Sequence, residues 1–124
     1  MITIYHNPHC SKSREALALA EEFAAKNKLM LEVVDYQKTR LTLEELKALH
    51  EQLDCPVSEM VRKGEEEFAA LNLAEANDEA CLEAVALYPK LLQRPIVEYC
   101  GKAVIGRPTE NLRKLFETDV QSRG

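Results

Sequence analysis

Hydrophobic positions near the start of the chain repeat with two different periods. Ile2 and Ile4 alternate with Thr and Tyr before an Asn-Pro pair at residues 7–8, which predicts a short strand ending in a tight turn. From Ser11 onward, small and apolar residues recur every three or four positions, as in an amphipathic helix. Residues 29–36 form a β-branched and aromatic run that favours a second strand. A strand, a helix and a strand in succession predict a parallel, right-handed unit.

Residues 40–88 carry helical patterns throughout. Thr42 and Glu45 make a capping box, in which each side chain can bond to the backbone N–H of the other residue. Asn77 or Asp78 can cap a further helix, which has to end before the next proline. The predicted helical segments run from 42 to about 53, from 57 to 62, from 65 to 71, and from 77 or 78 to 88.

The last third of the chain predicts an antiparallel hairpin followed by one helix. Residues 96–99 and 103–105 predict two short strands around a tight connection at Gly101 and Lys102. A Pro-Thr-Glu sequence at 108–110 opens a helix that is expected to end near residue 118. The order is therefore β-α-β, a helical block, then β-β-α, which predicts an α/β fold with a mixed sheet flanked by helices.

Composition and charge narrow the class of protein. The chain has 124 residues, 46% of them hydrophobic, which suffices for one domain with its own core. The 16 Lys and Arg against 21 Asp and Glu give a net charge of −5, which argues against a binder of nucleic acid or of anionic membranes. The first residues lack a signal-peptide pattern, and no apolar stretch reaches about 18 residues, so we expect a cytoplasmic protein.

Four dispersed cysteines predict neither a disulfide framework nor a metal site. The sequence contains no Cys-x-x-Cys pair and no His/Cys cluster with zinc spacing. Cys81 lies on an apolar helical stripe and is expected in the core. Cys55, in a loop, and Cys100, at the hairpin, could act as resolving thiols only if their Cα atoms come within about 7 Å of the Cα of Cys10.

Cys10 lies where the first strand and its turn lead into the first helix, a position that can activate a thiol. The first amides of a helix lack intrahelical acceptors and the helix dipole is positive there, so the thiolate is favoured. Lys12, Arg14 and a protonated His6 or His9 would act in the same direction. The alternative is a buried, inert cysteine, which the local pattern leaves open.

Four separated motifs resemble those of the glutaredoxin-coupled arsenate reductase family. The first is IYHNPHCSKSR at residues 4–14. The others are arginine motifs in the same order and at similar spacing, namely VRKG at 61–64, QRPIV at 93–97 and GRP at 106–108.

This resemblance extends over residues 2 to about 118 and implies the overall architecture. The family has a thioredoxin-like fold, here a mixed four-stranded sheet, with a helical insertion between its two halves. The halves would span about 1–39 and 89–118, and the insertion about 40–88. We expect the whole chain, 1–124, to form a single domain.

The same resemblance implies a role for each matched residue. Cys10 would be the nucleophile, and three arginines would bind the oxyanion and its developing charge: Arg62, Arg94 and Arg107. Guanidinium groups suit this role because they hold tetrahedral oxyanions through paired, charge-assisted hydrogen bonds. Pro95 would be a cis-proline that places the Arg94 backbone beside Cys10. The remaining residues would support the site or tune the thiol: His6, Ser13 and Arg14.

Each of these residues also has a purely structural explanation. Arg62 could be a cation at a helix end, Arg94 the entrance of a strand, and Arg107 a loop cation. His6 could be a hydrogen-bonded polar side chain at the end of a strand. Their joint occurrence with Cys10 is what favours the functional interpretation.

The implied activity is the reduction of arsenate to arsenite through an adduct on the Cys10 thiolate. Glutathione would be the co-substrate and a glutaredoxin the partner, because Ser13 stands where a second cysteine would allow an internal disulfide. No metal or tightly bound cofactor is expected. Two alternatives remain open. One is a housekeeping glutathione-linked thiol oxidoreductase, favoured by Lys12 beside the thiol, and the other is a non-enzymatic redox adaptor that binds RNA polymerase.

Overall fold

A four-stranded mixed sheet forms the centre of the protein. The structure, a computed structural model, describes the backbone of residues 1–123 and the side chains of residues 1–117. Its strands are β1 (Ile2–His6), β2 (Leu31–Asp35), β3 (Ile96–Tyr99) and β4 (Lys102–Ile105), in the spatial order β2-β1-β3-β4. Strand β1 pairs with β2 in parallel and with β3 antiparallel, and β3 pairs antiparallel with β4. This topology confirms the predicted mixed sheet.

Helices account for most of the remaining chain. They are α1 (Ser11–Asn27), α2 (Leu43–Leu53), α3 (Val57–Met60), α4 (Glu66–Ala70), α5 (Asp78–Leu87) and α6 (Glu110–Arg123). A 3₁₀ turn at Leu73–Glu75 lies between α4 and α5, and another at Pro89–Leu91 lies between α5 and β3. The last helix continues past the predicted end near residue 118. Over the part of the chain that is described, no helix combines the length and apolar character that crossing a bilayer requires.

The two faces of the sheet are covered by different parts of the chain. Ile4 and Val97 belong to a core cluster with α1 and α6. Ile96 and Ala103 belong to a second cluster built largely from α2, α3 and α5. Because successive side chains of a strand point to opposite faces, the adjacent Ile96 and Val97 enter different clusters. The helices of the 40–88 region therefore form a layer of their own over one face.

The segment after α3 differs from the predicted helix over 57–62. The helix ends at Met60, and Val61 forms an antiparallel bridge with Leu92. The N–H of Arg62 donates to the carbonyl of Leu91, and the N–H of Gln93 donates to the carbonyl of Met60, both at 2.7 Å. These bonds favour an extended backbone over another helical turn. Arg62 is consequently held next to the chain that leads into β3 and does not lie at a helix end.

The hairpin between β3 and β4 turns one residue earlier than predicted. Cys100 and Gly101 occupy the turn with φ angles of 54° and 75°, and Tyr99 pairs with Lys102. Two-residue hairpin loops of this kind need positive φ at both central positions, which glycine adopts without strain. Lys102 is therefore the first residue of β4.

The capping box of α2 is present and gives a direct test of the helical layer. Thr42 Oγ1 accepts from the Glu45 N–H at 3.1 Å, and Glu45 Oε1 accepts from the Thr42 N–H at 3.0 Å. We expect Thr42→Ala to lower the free energy of unfolding by about 1 kcal/mol, because a helical N–H loses its acceptor. Urea unfolding measures this change. The exposed Thr39→Ala is the control, and an equal effect of both variants would contradict a special role for the cap.

Candidate active site

One edge of the sheet collects residues that lie far apart in the sequence. His6 is opposite Asp35 in the parallel pair, so β1 and β2 both end at this edge. Because β3 is antiparallel to β1, it starts there, and β4 returns to the same edge. The segments that meet at this edge are the loop around residues 7–10, Tyr36, the chain at 94–95 and the chain at 106–107.

The loop after β1 positions Cys10 at the first turn of α1. Asn7 is buried, its carbonyl accepts from the Cys10 N–H at 3.1 Å, and its Oδ1 accepts from the His9 N–H at 3.0 Å. Cys10 has an extended backbone and is the N-cap of the helix, with its carbonyl accepting from the Arg14 N–H. The thiol therefore lies at the positive end of a 17-residue helix.

Ser13 connects this loop to the end of β1 from inside the protein. Its side chain is fully buried, and its Oγ accepts from the Asn7 N–H at 3.0 Å and lies 2.7 Å from His6 Nδ1. Burial lowers the pKa of His6, and this effect outweighs the opposing influence of Asp35. A neutral imidazole is thus favoured. His6 is held by its contact with Ser13, and the lowered pKa disfavours the cationic form that was one of the predicted possibilities.

The other predicted cations near the thiol have different contacts. Arg14 Nη1 donates to the carbonyl of Pro8 at 2.8 Å and so closes the loop. The Lys12 ammonium is exposed and pairs with Glu15 at 3.6 Å. Such an exposed pair contributes little energy. Arg14 thus stabilises the loop, and Lys12 lies on its surface. The charge closest to the thiol comes from another segment of the chain.

The surroundings of Cys10 favour its thiolate. Burial by itself raises the pKa of the Cys10 thiol, but the backbone N–H groups of Ser13 and Lys12 and the guanidinium of Arg94 outweigh it, so that the net pKa is lowered. Thiolate is the nucleophilic form of cysteine.

Arg94 is the cation beside the thiol. Its Nε and Nη1 atoms are buried, and neither has a hydrogen-bond partner among the described residues. The peptide bond between Arg94 and Pro95 is cis, as the resemblance implied, and so is the bond between Arg107 and Pro108. Buried donors on a charged group are costly when unpaired, so this guanidinium is suited to receive an anion.

Tyr36 is a member of this cluster that sequence reasoning treated only as the end of a strand. It directly follows β2, is 1% exposed and has its hydroxyl oxygen buried. Arg94, Arg62 and Cys10 are all within electrostatic range of that hydroxyl. A signal was present in the sequence, because a strand parallel to β1 must end beside the loop that carries Cys10.

Arg62 and Arg107 have different relations to the thiol. Arg62 Nε lies 3.3 Å from Glu65 Oε1, and both side chains are 26% exposed, so this arginine is already paired. Arg107 follows β4, two strands from β1, which places its backbone about 10 Å along the edge. Its side chain lines a groove of about 460 Å³ together with Lys63 and Gln93. Arg94 is therefore the predicted arginine that the structure places directly against Cys10.

The other cysteines lie in distinct environments. Cys100 is exposed at the far end of the sheet, because Tyr99 pairs with Ile2 at the start of β1. The length of β1 separates that end from Cys10 by roughly 13 Å or more, beyond the reach of a disulfide. Cys81 is buried as predicted, and its pKa is raised by burial. The residues described include no group of three or more His, Cys, Asp or Glu side chains that could hold a metal ion.

The sheet order and the thiol at the start of α1 define a thioredoxin-like protein with a helical layer inserted between the halves. A model of the ArsC family matches residues 5–115, and the chain belongs to this family.

Similar proteins align with nearly the whole length of this chain. An arsenate reductase of Neisseria meningitidis serogroup A is 43% identical over 118 residues, covering 93% of this chain and 97% of that protein. An arsenate reductase of Haemophilus influenzae is 36% identical over 119 residues, covering 93% and 98%. The solved arsenate reductase from Vibrio cholerae superposes with a TM-score of 0.82 at 42% identity, covering 91% and 95%.

Removing the Arg94 charge should make Cys10 less reactive. In Arg94→Gln, the loss of the guanidinium raises the pKa of Cys10, and we expect its alkylation rate at pH 7 to fall roughly three- to tenfold. The rate should recover as the pH is raised, because more thiolate then forms. The measurement is iodoacetamide labelling of the Cys10 peptide by mass spectrometry across pH 5–10. Arg113→Gln, on an exposed position of α6, is the control, and equal profiles for wild type and Arg94→Gln would refute the assignment.

The resemblance predicts that Arg62 binds the oxyanion, and on that prediction its release from Glu65 should strengthen anion binding. In Glu65→Gln, Arg62 no longer has to exchange a carboxylate partner for an incoming oxyanion, so affinity should rise about three- to tenfold. Protection of Cys10 from alkylation by increasing sulfate or arsenate measures this affinity. Glu66→Gln, on a neighbouring exposed position, is the control. Weaker protection in Glu65→Gln would mean that Glu65 positions Arg62 and does not compete for it.

Proposed function

We propose that this protein is a thiol-dependent oxidoreductase that reduces arsenate to arsenite, using glutathione and a glutaredoxin. The observation that carries the proposal is the pair of buried Arg94 nitrogens, without partners in the described structure, beside a thiol with a lowered pKa. Membership of the ArsC family and the arsenate reductases among its relatives support it. A nucleophile and an anion-binding group thus adjoin each other.

The proposed substrate is an oxyanion, and the Cys10 thiolate that attacks it is also an anion. A thiolate and an oxyanion repel each other unless a cation lies between them, and Arg94 supplies that charge in a partly dehydrated place. A tetrahedral oxyanion offers several acceptor oxygens, which match the fixed donor geometry of a guanidinium. Arg62 and Arg107 lie on neighbouring segments of the same edge and would add further donors.

In the first step the Cys10 thiolate attacks the arsenic atom of arsenate. A sulfur–arsenic bond forms, an arsenic–hydroxyl bond breaks, and the hydroxide takes up a proton and leaves as water. Arsenic remains As(V) in this adduct. The guanidinium of Arg94 stabilises the negative charge that develops on the arsenate oxygens, because it is already oriented and needs no reorganisation.

The two reducing electrons come from outside the chain. Ser13 occupies the place of a second motif cysteine, and Cys100 lies at the far end of the sheet. Glutathione would displace a second hydroxyl as water, giving a Cys10–S–As–S–glutathione adduct. A glutaredoxin thiolate then attacks the glutathione sulfur, a disulfide forms, and the electron pair of the broken arsenic–sulfur bond reduces arsenic to As(III). Hydrolysis releases arsenite and restores Cys10.

Such a cycle requires a reducing compartment, and we propose a cytoplasmic location for this reason. A low-pKa thiol near the surface is readily oxidised where no thiol pool restores it. No metal or tightly bound cofactor takes part in the proposed steps. Glutathione acts as a co-substrate that enters and leaves in each cycle.

Steady-state arsenate reduction with glutathione and glutaredoxin tests the proposal. We expect turnover by the wild-type protein and a loss of at least about 1,000-fold in Cys10→Ser, because the hydroxyl is a poor nucleophile at neutral pH. Cys100→Ser is the matched control and should retain full activity, since its thiol is far from the site. A second glutathione regenerates the glutaredoxin, so one glutathione disulfide should form for each arsenite released.

The two alternative functions give different results in the same assay. Reduction of a glutathionylated peptide without any response to arsenate would favour a general glutathione-linked oxidoreductase. Absence of turnover on either substrate, with recovery of RNA polymerase subunits on the immobilised protein, would favour the adaptor. Either result would contradict the proposed arsenate reduction.

A further inference from the structure

We infer that the Tyr36 hydroxyl is an additional substrate-binding group, which donates a hydrogen bond to the oxyanion held beside Cys10 and Arg94. This inference rests on the proposed function and adds one neutral donor to a site otherwise described by its cations. It assigns a binding role to a residue that lies outside all four of the motifs identified in the sequence.

The fold brings Tyr36 to the site from the side opposite to β3. Asp35 pairs with His6 at the end of β1, so the next residue lies beside the loop that carries Cys10. The Tyr36 ring belongs to the core cluster of the helical layer and is fixed there by close packing. Its hydroxyl is therefore presented by a rigid ring and needs no rearrangement to meet a ligand.

The hydroxyl of Tyr36 is buried without a well-formed hydrogen bond among the described residues, which is unusual for a tyrosine. A buried tyrosine O–H usually finds an acceptor, because leaving it unpaired costs the desolvation of a polar group. Tyr5, on the same face of the sheet, follows this rule by donating to Glu98 Oε1 at 2.8 Å. Within the described residues, the Tyr36 O–H donates to no such acceptor, and its oxygen makes no hydrogen bond of good geometry although the Arg94 guanidinium lies nearby.

The Tyr36 hydroxyl and the guanidinium nitrogens of Arg94 lie in the same part of the site. Arg94 Nε and Nη1 are the other buried donors near Cys10 that lack a partner in the described part of the chain. Arg94 and Arg62 both act on the Tyr36 hydroxyl as cations, and Arg94 is also close enough to interact with it by hydrogen bonding. A single bound oxyanion would provide acceptors for donors on both residues, which no neutral ligand of that size does as well.

The protonation state of Tyr36 suits a donor. Burial raises the pKa of its hydroxyl, and the nearby Arg94 and Arg62 offset this effect only in part. The group therefore keeps its proton at neutral pH. It can contribute a directional hydrogen bond to an anion without adding negative charge beside the Cys10 thiolate.

Tyr36→Phe tests the inference, because it removes the hydroxyl and keeps the ring that packs in the core. We expect sulfate and arsenate to protect Cys10 from alkylation about tenfold less effectively, and the KM for arsenate to rise by a similar factor. The melting temperature of the ligand-free protein should be unchanged or higher, since an unpaired buried polar group is removed. A purely structural role predicts a lower melting temperature with unchanged anion protection.

Tyr88→Phe, at an exposed tyrosine, is the matched control and should leave both readouts unchanged. The stabilisation of each variant by saturating sulfate in thermal unfolding gives a second, activity-independent measure of binding. If wild type is protected by anions and reduces arsenate while Tyr36→Phe behaves identically, the inference about Tyr36 is wrong and the proposed function stands. If wild type is neither protected by arsenate nor active on it, both are wrong.

Discussion

A positive charge held without a carboxylate partner beside a cysteine is the constraint on which this site depends. Arg94 brings buried nitrogens next to Cys10, and those atoms have no acceptor among the described residues. An arrangement like this is unfavourable for the stability of the protein, because charged donors are removed from water without a compensating acceptor. The same guanidinium favours the thiolate form of Cys10, and its unpaired donors can bind an anionic substrate.

The architecture explains how this charge is kept in place. Antiparallel pairing of β1 with β3 brings the start of β3 against the Cys10 loop, and the bridge between Val61 and Leu92 joins the helical layer to the same segment. The helical layer covers one face of the sheet and buries Tyr36 close to the edge. On the other face, Ser13 links the loop to the end of β1 from inside the protein. The site is thus supported from both sides of the sheet.

Much of this organisation could be predicted from the sequence, since it follows from local periodicity and capping. The strand and helix periods, the Thr42 capping box and the position of Cys10 before α1 all depend on neighbouring residues. The Arg62–Glu65 pair has a local i,i+3 spacing and was missed although the sequence contained it. Other missed contacts depend on tertiary pairing, since Val61 leaves the helix because the distant Leu92 offers a bridge. No local pattern reports such partners.

A crystal structure grown or soaked with sulfate, a non-reducible analogue of the tetrahedral substrate, tests the central claim most directly. The account predicts one sulfate beside the Cys10 sulfur, with its oxygens within hydrogen-bonding distance of Arg94 Nε and Nη1. A structure in which Arg94 instead forms a salt bridge with a carboxylate of the chain, or in which sulfate binds elsewhere and leaves this place to water, would contradict it.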